Sequence, residues 1–274
     1  MTLRLFHLNA GTMSPPSALL VNGRGGLFER ARMVCHILLI ERAGELCLVD
    51  TGIGLNDINN RDQLPAAFLK KGRPSLDPAE TAIAQVGALG FDPHNVRHVV
   101  MTHLDRDHAG GLADFPWAKV HVHDTEHRAA VKGQPAVQPG RYAAQQWRHG
   151  PDWATYDRFG ADWMGLPSCQ VDLFDGWDVR LVPLPGHTPG HSGVAVKRGD
   201  DAWFFHAGDA YYSRRQIDSP PRRAPLGLLF QIRKAEIDRA QRIASEDAVR
   251  RLRQRPAISI CCTHDPDEFD RLSK

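Results

Sequence analysis

Four side chains able to bind a metal ion fall within six residues of this sequence, His103-Leu-Asp105-Arg-Asp107-His108. On a β-strand such neighbours would point to alternate faces. On a tight loop leading into a helix they can fan out around one centre, and Ala109-Gly-Gly111 follows at once to allow the turn. The run does not match the single-helix H-E-x-x-H zinc pattern, so further ligands must come from elsewhere in the chain. Suitable ones occur at Pro185-Gly-His187-Thr-Pro-Gly-His191, at His206-Ala-Gly-Asp209 and at His264-Asp265, and another carboxylate stands in Asp50-Thr-Gly52.

Each of these segments directly follows a stretch that reads as a strand: 45–49, 97–102, 178–184, 202–205 and 257–263. Strands are also expected at 33–40, 119–123 and 193–197, the first joined to 45–49 by a hairpin at Ala43-Gly44. Asp77-Pro-Ala-Glu80 carries the signals of a helix start and Gly90 those of its end; helical spacing also runs over 232–253. Ligands at strand ends, steered by glycine turns, can meet at one rim of a sheet. Two stretches break the regular pattern. Residues 133–177 hold Trp147, Trp153, Trp163 and Trp177 among prolines and glycines, and 211–230 holds Tyr211-Tyr212 with arginines and prolines. Stretches of this length are expected to cover a site, which would place Trp147 and His149 against a substrate.

The chain has 274 residues, 42% apolar and 24% charged, with a net charge of +2. That excludes a disordered chain and gives no electrostatic case for a nucleic-acid partner. No apolar run approaches the roughly 20 residues of a membrane helix. The five cysteines are odd in number and form no C-x-x-C, so buried reduced thiols and a cytoplasmic location are expected. Among the other histidines, His206 reads as a core residue and His191 as structural. His121, His123 and His127 read as surface residues.

Taken in order, strand-Asp-Thr-Gly, the 103–108 run, Gly-His187, Asp209 and His264 resemble the metallo-β-lactamase superfamily over residues 30–266. The resemblance implies an α/β fold, a four-layer αββα sandwich forming one domain over 1–274, with the metal site at one rim of its two sheets. It implies two divalent metal ions, zinc by default, with iron or manganese open. One ion would be held by His103, Asp105, His187 and Asp209. The other would be held by Asp107, His108, Asp209 and His264, with Asp209 bridging and Asp50 orienting a ligand from behind. The usual pattern has His at position 105. With Asp there, two ions bring four positive charges against the three carboxylates Asp105, Asp107 and Asp209, a centre less positive than usual and better suited to oxygen-preferring ions.

Tyr212 follows Asp209 by three positions, as in the N-acyl-homoserine lactonase-like branch. That layout implies a metal-dependent hydrolase whose metal-held hydroxide attacks an ester-like carbonyl, a lactone above others. Asp107 would serve the nucleophile and Tyr212 the developing oxyanion. A thioesterase or phosphoesterase of the same superfamily is the alternative, followed by a di-iron redox protein or a non-catalytic metal-binding protein. The partner expected is a small-molecule substrate, with no nucleic acid and no membrane; a homodimer is left open.

Overall fold

The computed structural model describes residues 3–133 and 140–274, so the part of the expected cover at 134–139 lies outside the described residues. One sheet is built from β1 (Arg4–Asn9), β2 (His36–Arg42), β3 (Glu45–Val49), β4 (Val96–Val100), β5 (Lys119–His123) and β6 (Asp152–Tyr156), side by side in that order. The second holds β7 (Ala161–Trp163), β8 (Leu166–Gln170), β9 (Val179–Pro183), β10 (Ser192–Lys197), β11 (Trp203–His206) and β12 (Ile258–Cys261), ordered β12-β11-β10-β9-β8-β7. The helices are α1 (Ala18–Val21), α2 (Leu55–Asn59), α3 (Ala82–Ala88), α4 (Arg106–Ala109), α5 (Asp124–Val131), α6 (Leu226–Ala235), α7 (Arg239–Leu252) and α8 (Pro266–Leu272). None is long and apolar enough to cross a membrane.

Strands buried on both faces must send alternate residues into two different cores. In β2, Ile37 and Leu39 join an outer core with Ala82 and Val86 of α3, while Leu38 and Ile40 turn the other way. They meet Leu181, Val194, Val196 and Phe204 of the second sheet, which makes the layer between the sheets. On the far side of the second sheet, Trp203, Phe205, Ile258 and Ile260 pack against Ala248, Val249 and Leu252 of α7. Three apolar layers between four tiers of structure make the αββα arrangement.

The 43–44 hairpin forms as expected, with positive φ at Ala43 (56°) and Gly44 (87°). Other elements differ from the sequence reading. The helix start at Asp77 is only a 3₁₀ turn; Thr81 then caps α3 with its own side chain. The spacing over 232–253 is two helices, broken at Glu236–Asp238 because Asp238 accepts from the Gln241 amide (3.0 Å) and begins α7 afresh. β1 has no counterpart in the sequence reading. The largest correction concerns 133–177, whose residues 152–170 are not a cover but β6, β7 and β8, lengthening both sheets.

Candidate metal centre

The Asp50-Thr-Gly52 turn and the 103–111 loop leave the ends of the neighbouring parallel strands β3 and β4, and their backbones lock together. The Thr51 amide donates to the His108 carbonyl (2.9 Å) and the Gly111 amide to that of Gly52 (3.2 Å). Gly52 sits at φ 65°, and a Cβ there would come within 2.2 Å of the Ala10 carbonyl oxygen, so only glycine fits. Asp50 itself adopts φ 59°, which turns its carboxylate in beneath the ligand loop.

That carboxylate, fully buried, orients two imidazoles. It accepts from the Thr102 amide (2.8 Å), the Thr102 hydroxyl (2.7 Å) and His108 Nδ1 (2.9 Å). Thr102 Oγ1, its proton given to Asp50, accepts in turn from His103 Nδ1 (3.0 Å). His264 Nδ1 donates to the Val34 carbonyl (2.8 Å). In all three rings Nδ1 is taken up by these partners, so Nε2 is the nitrogen presented to the site.

Those nitrogens converge on Asp209. His108 Nε2 is 3.5 Å from Asp209 Oδ1, and His264 Nε2 is 3.3 Å from Asp209 Oδ2 and 3.6 Å from Asp107 Oδ2. His187 Nε2 is 3.4 Å from Asp209 Oδ2. Two triads with metal-binding geometry share Asp209: His103, His187 and Asp209, and His108, Asp209 and His264. Among the described residues, His103 Nε2, His108 Nε2 and Asp209 Oδ1 are buried with no hydrogen-bond partner. Buried polar atoms left this way are disfavoured unless something binds them. Cations at the two triads would satisfy all three, so the residues fit divalent metal. Burial alone would raise the Asp209 carboxyl, but His264 and His108 outweigh it and hold it well below the carboxylate range. Asp209 and Asp50 in turn hold His108 well above the ordinary imidazole range against its burial.

Supports reach in from several elements. His191, read as structural, donates to the Leu184 carbonyl (2.8 Å) and accepts from the Asp209 amide (2.9 Å), so it sets the backbone of the shared carboxylate. His206, read as a core residue, spans the sheets to the His36 carbonyl (2.8 Å). The Tyr212 hydroxyl donates to Asp209 Oδ2 (2.8 Å) and lies 3.3 Å from His187 Nδ1.

Several sequence expectations change. Asp105 reaches the site, with Oδ2 3.5 Å from His103 Nε2 and 3.0 Å from His187 Nε2, but it is gripped by Arg141 through Nε (2.6 Å) and Nη2 (2.5 Å). Burial opposes its charge, and Arg141, with His103 and His187 adding to it, more than offsets that. Arg141 had no signal in the sequence: one arginine in a Pro- and Gly-rich stretch, 36 residues from its partner. Trp147 and His149 do not line the site. Trp147 packs into the outer core of the first sheet and His149 is exposed. His121 is buried rather than on the surface, bonded to His98 Nδ1 and the Tyr156 hydroxyl (2.9 Å each). His123 caps α5 through the Thr125 amide. Cys35, a buried thiol as expected, stands beside Asp107 and His264, closer to the centre than its sequence context implied. Arg214 and Arg222 pair with Asp218.

The centre opens into a cavity of about 690 Å³. Asp105, Asp107, His187, Asp209, Tyr212 and His264 form its floor. Met13, Leu20, Phe68 and Phe230 supply an apolar wall, with Lys71 and Lys234 beside them. The 211–230 stretch thus contributes to the enclosure, and α6 extends it.

The family model of the metallo-beta-lactamase superfamily matches residues 30–264. A "Probable metallo-hydrolase" of Mycobacterium tuberculosis is 37% identical over 269 residues, 97% of this chain and 82% of that one. An N-acyl homoserine lactonase of Agrobacterium fabrum is 27% identical over 283 residues, 99% and 97% of the two chains. Among solved structures, an N-acyl homoserine lactone hydrolase with N-hexanoyl-L-homoserine at its metal centre superposes with a TM-score of 0.72 at 20% identity, covering 99% of this chain and 97% of that one. AidC, a dizinc quorum-quenching lactonase, gives 0.62 at 18% identity, covering 96% and 88%. With the strand-end ligands, the paired sheets and these matches in agreement, the chain belongs to the metallo-beta-lactamase superfamily.

Proposed function

We propose that this metallo-hydrolase cleaves an ester-like carbonyl, a lactone above others, with two divalent ions held by His103, His187 and Asp209 and by Asp107, His108, Asp209 and His264. The observation that carries the reading is the pair of triads sharing Asp209 on the floor of an apolar cavity, with the Tyr212 hydroxyl beside them. When bound, such ions lower the pKa of a water molecule to near neutrality and polarise a carbonyl; zinc is the default, with iron and manganese compatible with the mixed nitrogen and oxygen set.

The chain's own residues supply the rest. Asp107 lines the cavity with His264 Nε2 as its near neighbour at 3.6 Å, which suits it to accept the proton of an attacking water. The Tyr212 hydroxyl, donating to Asp209, can pass that hydrogen bond to a carbonyl oxygen as negative charge develops on it. Met13, Leu20, Phe68 and Phe230 offer an acyl chain an apolar wall. The lactonases among the relatives and structural neighbours support a lactone over a thioester or phosphodiester.

A panel of lactones, aryl esters, thioesters and phosphodiesters tests this, with the metal content of each sample measured alongside. Asp209→Ala is expected to abolish turnover of whichever class is hydrolysed; unchanged turnover refutes the mechanism. Tyr212→Phe should lower kcat by roughly 100-fold with metal content intact.

A further inference from the structure

The two triads are not equivalent, because an arginine reaches into one of them. Arg141 gives Nε and Nη2 to the two oxygens of Asp105, at 2.6 and 2.5 Å, and the pair is nearly closed to solvent, with side chains 8% and 15% exposed. The same Nη2 lies 3.0 Å from His187 Nε2. Asp105 Oδ2 lies at the same 3.0 Å from His187 Nε2, so the Arg141–Asp105 pair sits directly against that nitrogen. The pair therefore occupies the approach to the nitrogen that a metal ion would need. The remaining guanidinium nitrogen, Nη1, donates to the Ala235 carbonyl in the last turn of α6, which fixes it in place. At the other triad, among the described residues, no arginine or lysine hydrogen-bonds or pairs with His108, His264 or Asp209.

We propose that Arg141 acts as a resident cation at the His103–His187 position, so that the chain fills its two metal positions unequally, the one at His108, Asp209 and His264 first. This rests on the metal reading above and deepens it. An ion entering the His103–His187 position must displace Arg141 from His187 and then face a buried positive charge at close range. If it also draws Asp105 into ligation, it strips that charge of its counter-ion. Arg141 is a positioning residue here: it holds Asp105 and His187 and is not among the residues facing the cavity.

Stepwise titration of metal-free protein with zinc, against a chromophoric chelator, tests this. The wild-type chain should bind one ion tightly and a second more weakly by roughly 100-fold, in the range that groups behind metal ligands command. Arg141→Met, which frees Asp105 and His187, should narrow that gap by roughly tenfold or more, and Arg141→Lys, which keeps the charge, should narrow it less. With Mn²⁺, the electron paramagnetic resonance spectrum at one equivalent should be that of an isolated ion in the wild type. In Arg141→Met it should show a spin-coupled pair. Two wild-type affinities within tenfold of each other overturn the inference, whether or not the variants fold, and so does a gap unchanged in a folded Arg141→Met. Failure to bind zinc at all removes the metal reading and this inference with it, whereas two equal ions remove the inference alone.

Discussion

At the scale of single residues, the centre depends on one carboxylate that faces away from the cavity. Asp50 orients the rings of His103, through Thr102, and of His108 directly. An amide in its place cannot accept all three donors, because one of its two ends is itself a donor. Asp50→Asn is therefore expected to weaken metal binding by roughly 10- to 100-fold while the chain still folds. Metal content after dialysis against a graded chelator checks this, and unchanged retention would show that Asp50 orients nothing of consequence. The place of Asp50 was legible in Asp-Thr-Gly at a strand end, and its role was implied by the family resemblance. That of Arg141 was not, since pairing with Asp105 depends on how the chain returns from residue 133 to β6, and no local pattern encodes that path.

At the scale of elements, strand ends do the positioning and helices brace them. α8 begins just after His264, and Asp265 caps it by accepting from the Asp267 and Glu268 amides. Glu268 is 1% exposed and accepts from the Tyr211 hydroxyl (2.8 Å) and the Cys262 amide (3.2 Å). Burial, with Asp265 adding to it, pushes its carboxyl up from 4.5 to about 7. A carboxyl raised in the folded state binds its proton more tightly there than in the unfolded chain. Stability therefore falls as pH rises from about 4.5 to about 7, and the loss is complete above that window. Glu268→Gln keeps an oxygen for Tyr211 and Cys262 and removes the charge. It should stabilise the protein by about 3 kcal/mol at pH 8, with the gain fading toward pH 5. Urea unfolding at the two pH values measures this, and an equal effect at both would mean that the charge is not the cause. The break between α6 and α7 was also written in the sequence, as Asp238 three residues before Gln241, but the apolar spacing continued across it and masked the boundary.

At the scale of the whole molecule, the candidate ligands come from both sheets. His103, Asp107 and His108 follow β4 of the first sheet, and His187, Asp209 and His264 follow β9, β11 and β12 of the second. A cation among them would join the two halves and bind the folded chain alone, since the unfolded chain scatters these residues. Loading with zinc at about 100 times its dissociation constant should stabilise the protein by about 2.7 kcal/mol and raise Tm by roughly 5–10 °C over the chelated form. Differential scanning calorimetry with and without chelator reads this directly. Equal Tm values would mean that the metal does not tie the sheets together.

The layered fold was implied by the resemblance of the motif order to a known superfamily, whereas the strands, the glycine turns and the residue types able to bind a metal could be read directly from the sequence. Each is a short-range signal: a strand's apolar period, a turn residue, a donor type at a strand end. The tertiary structure alone decided the state of each group. It took Asp105 for Arg141, placed Cys35 beside Asp107, turned Trp147 into the core and made sheet edges of residues 152–170. These outcomes depend on which distant segments come within a few ångströms of one another. Contact at that range is set by the packing of the two sheets and their helices, which local spacing along the chain does not specify.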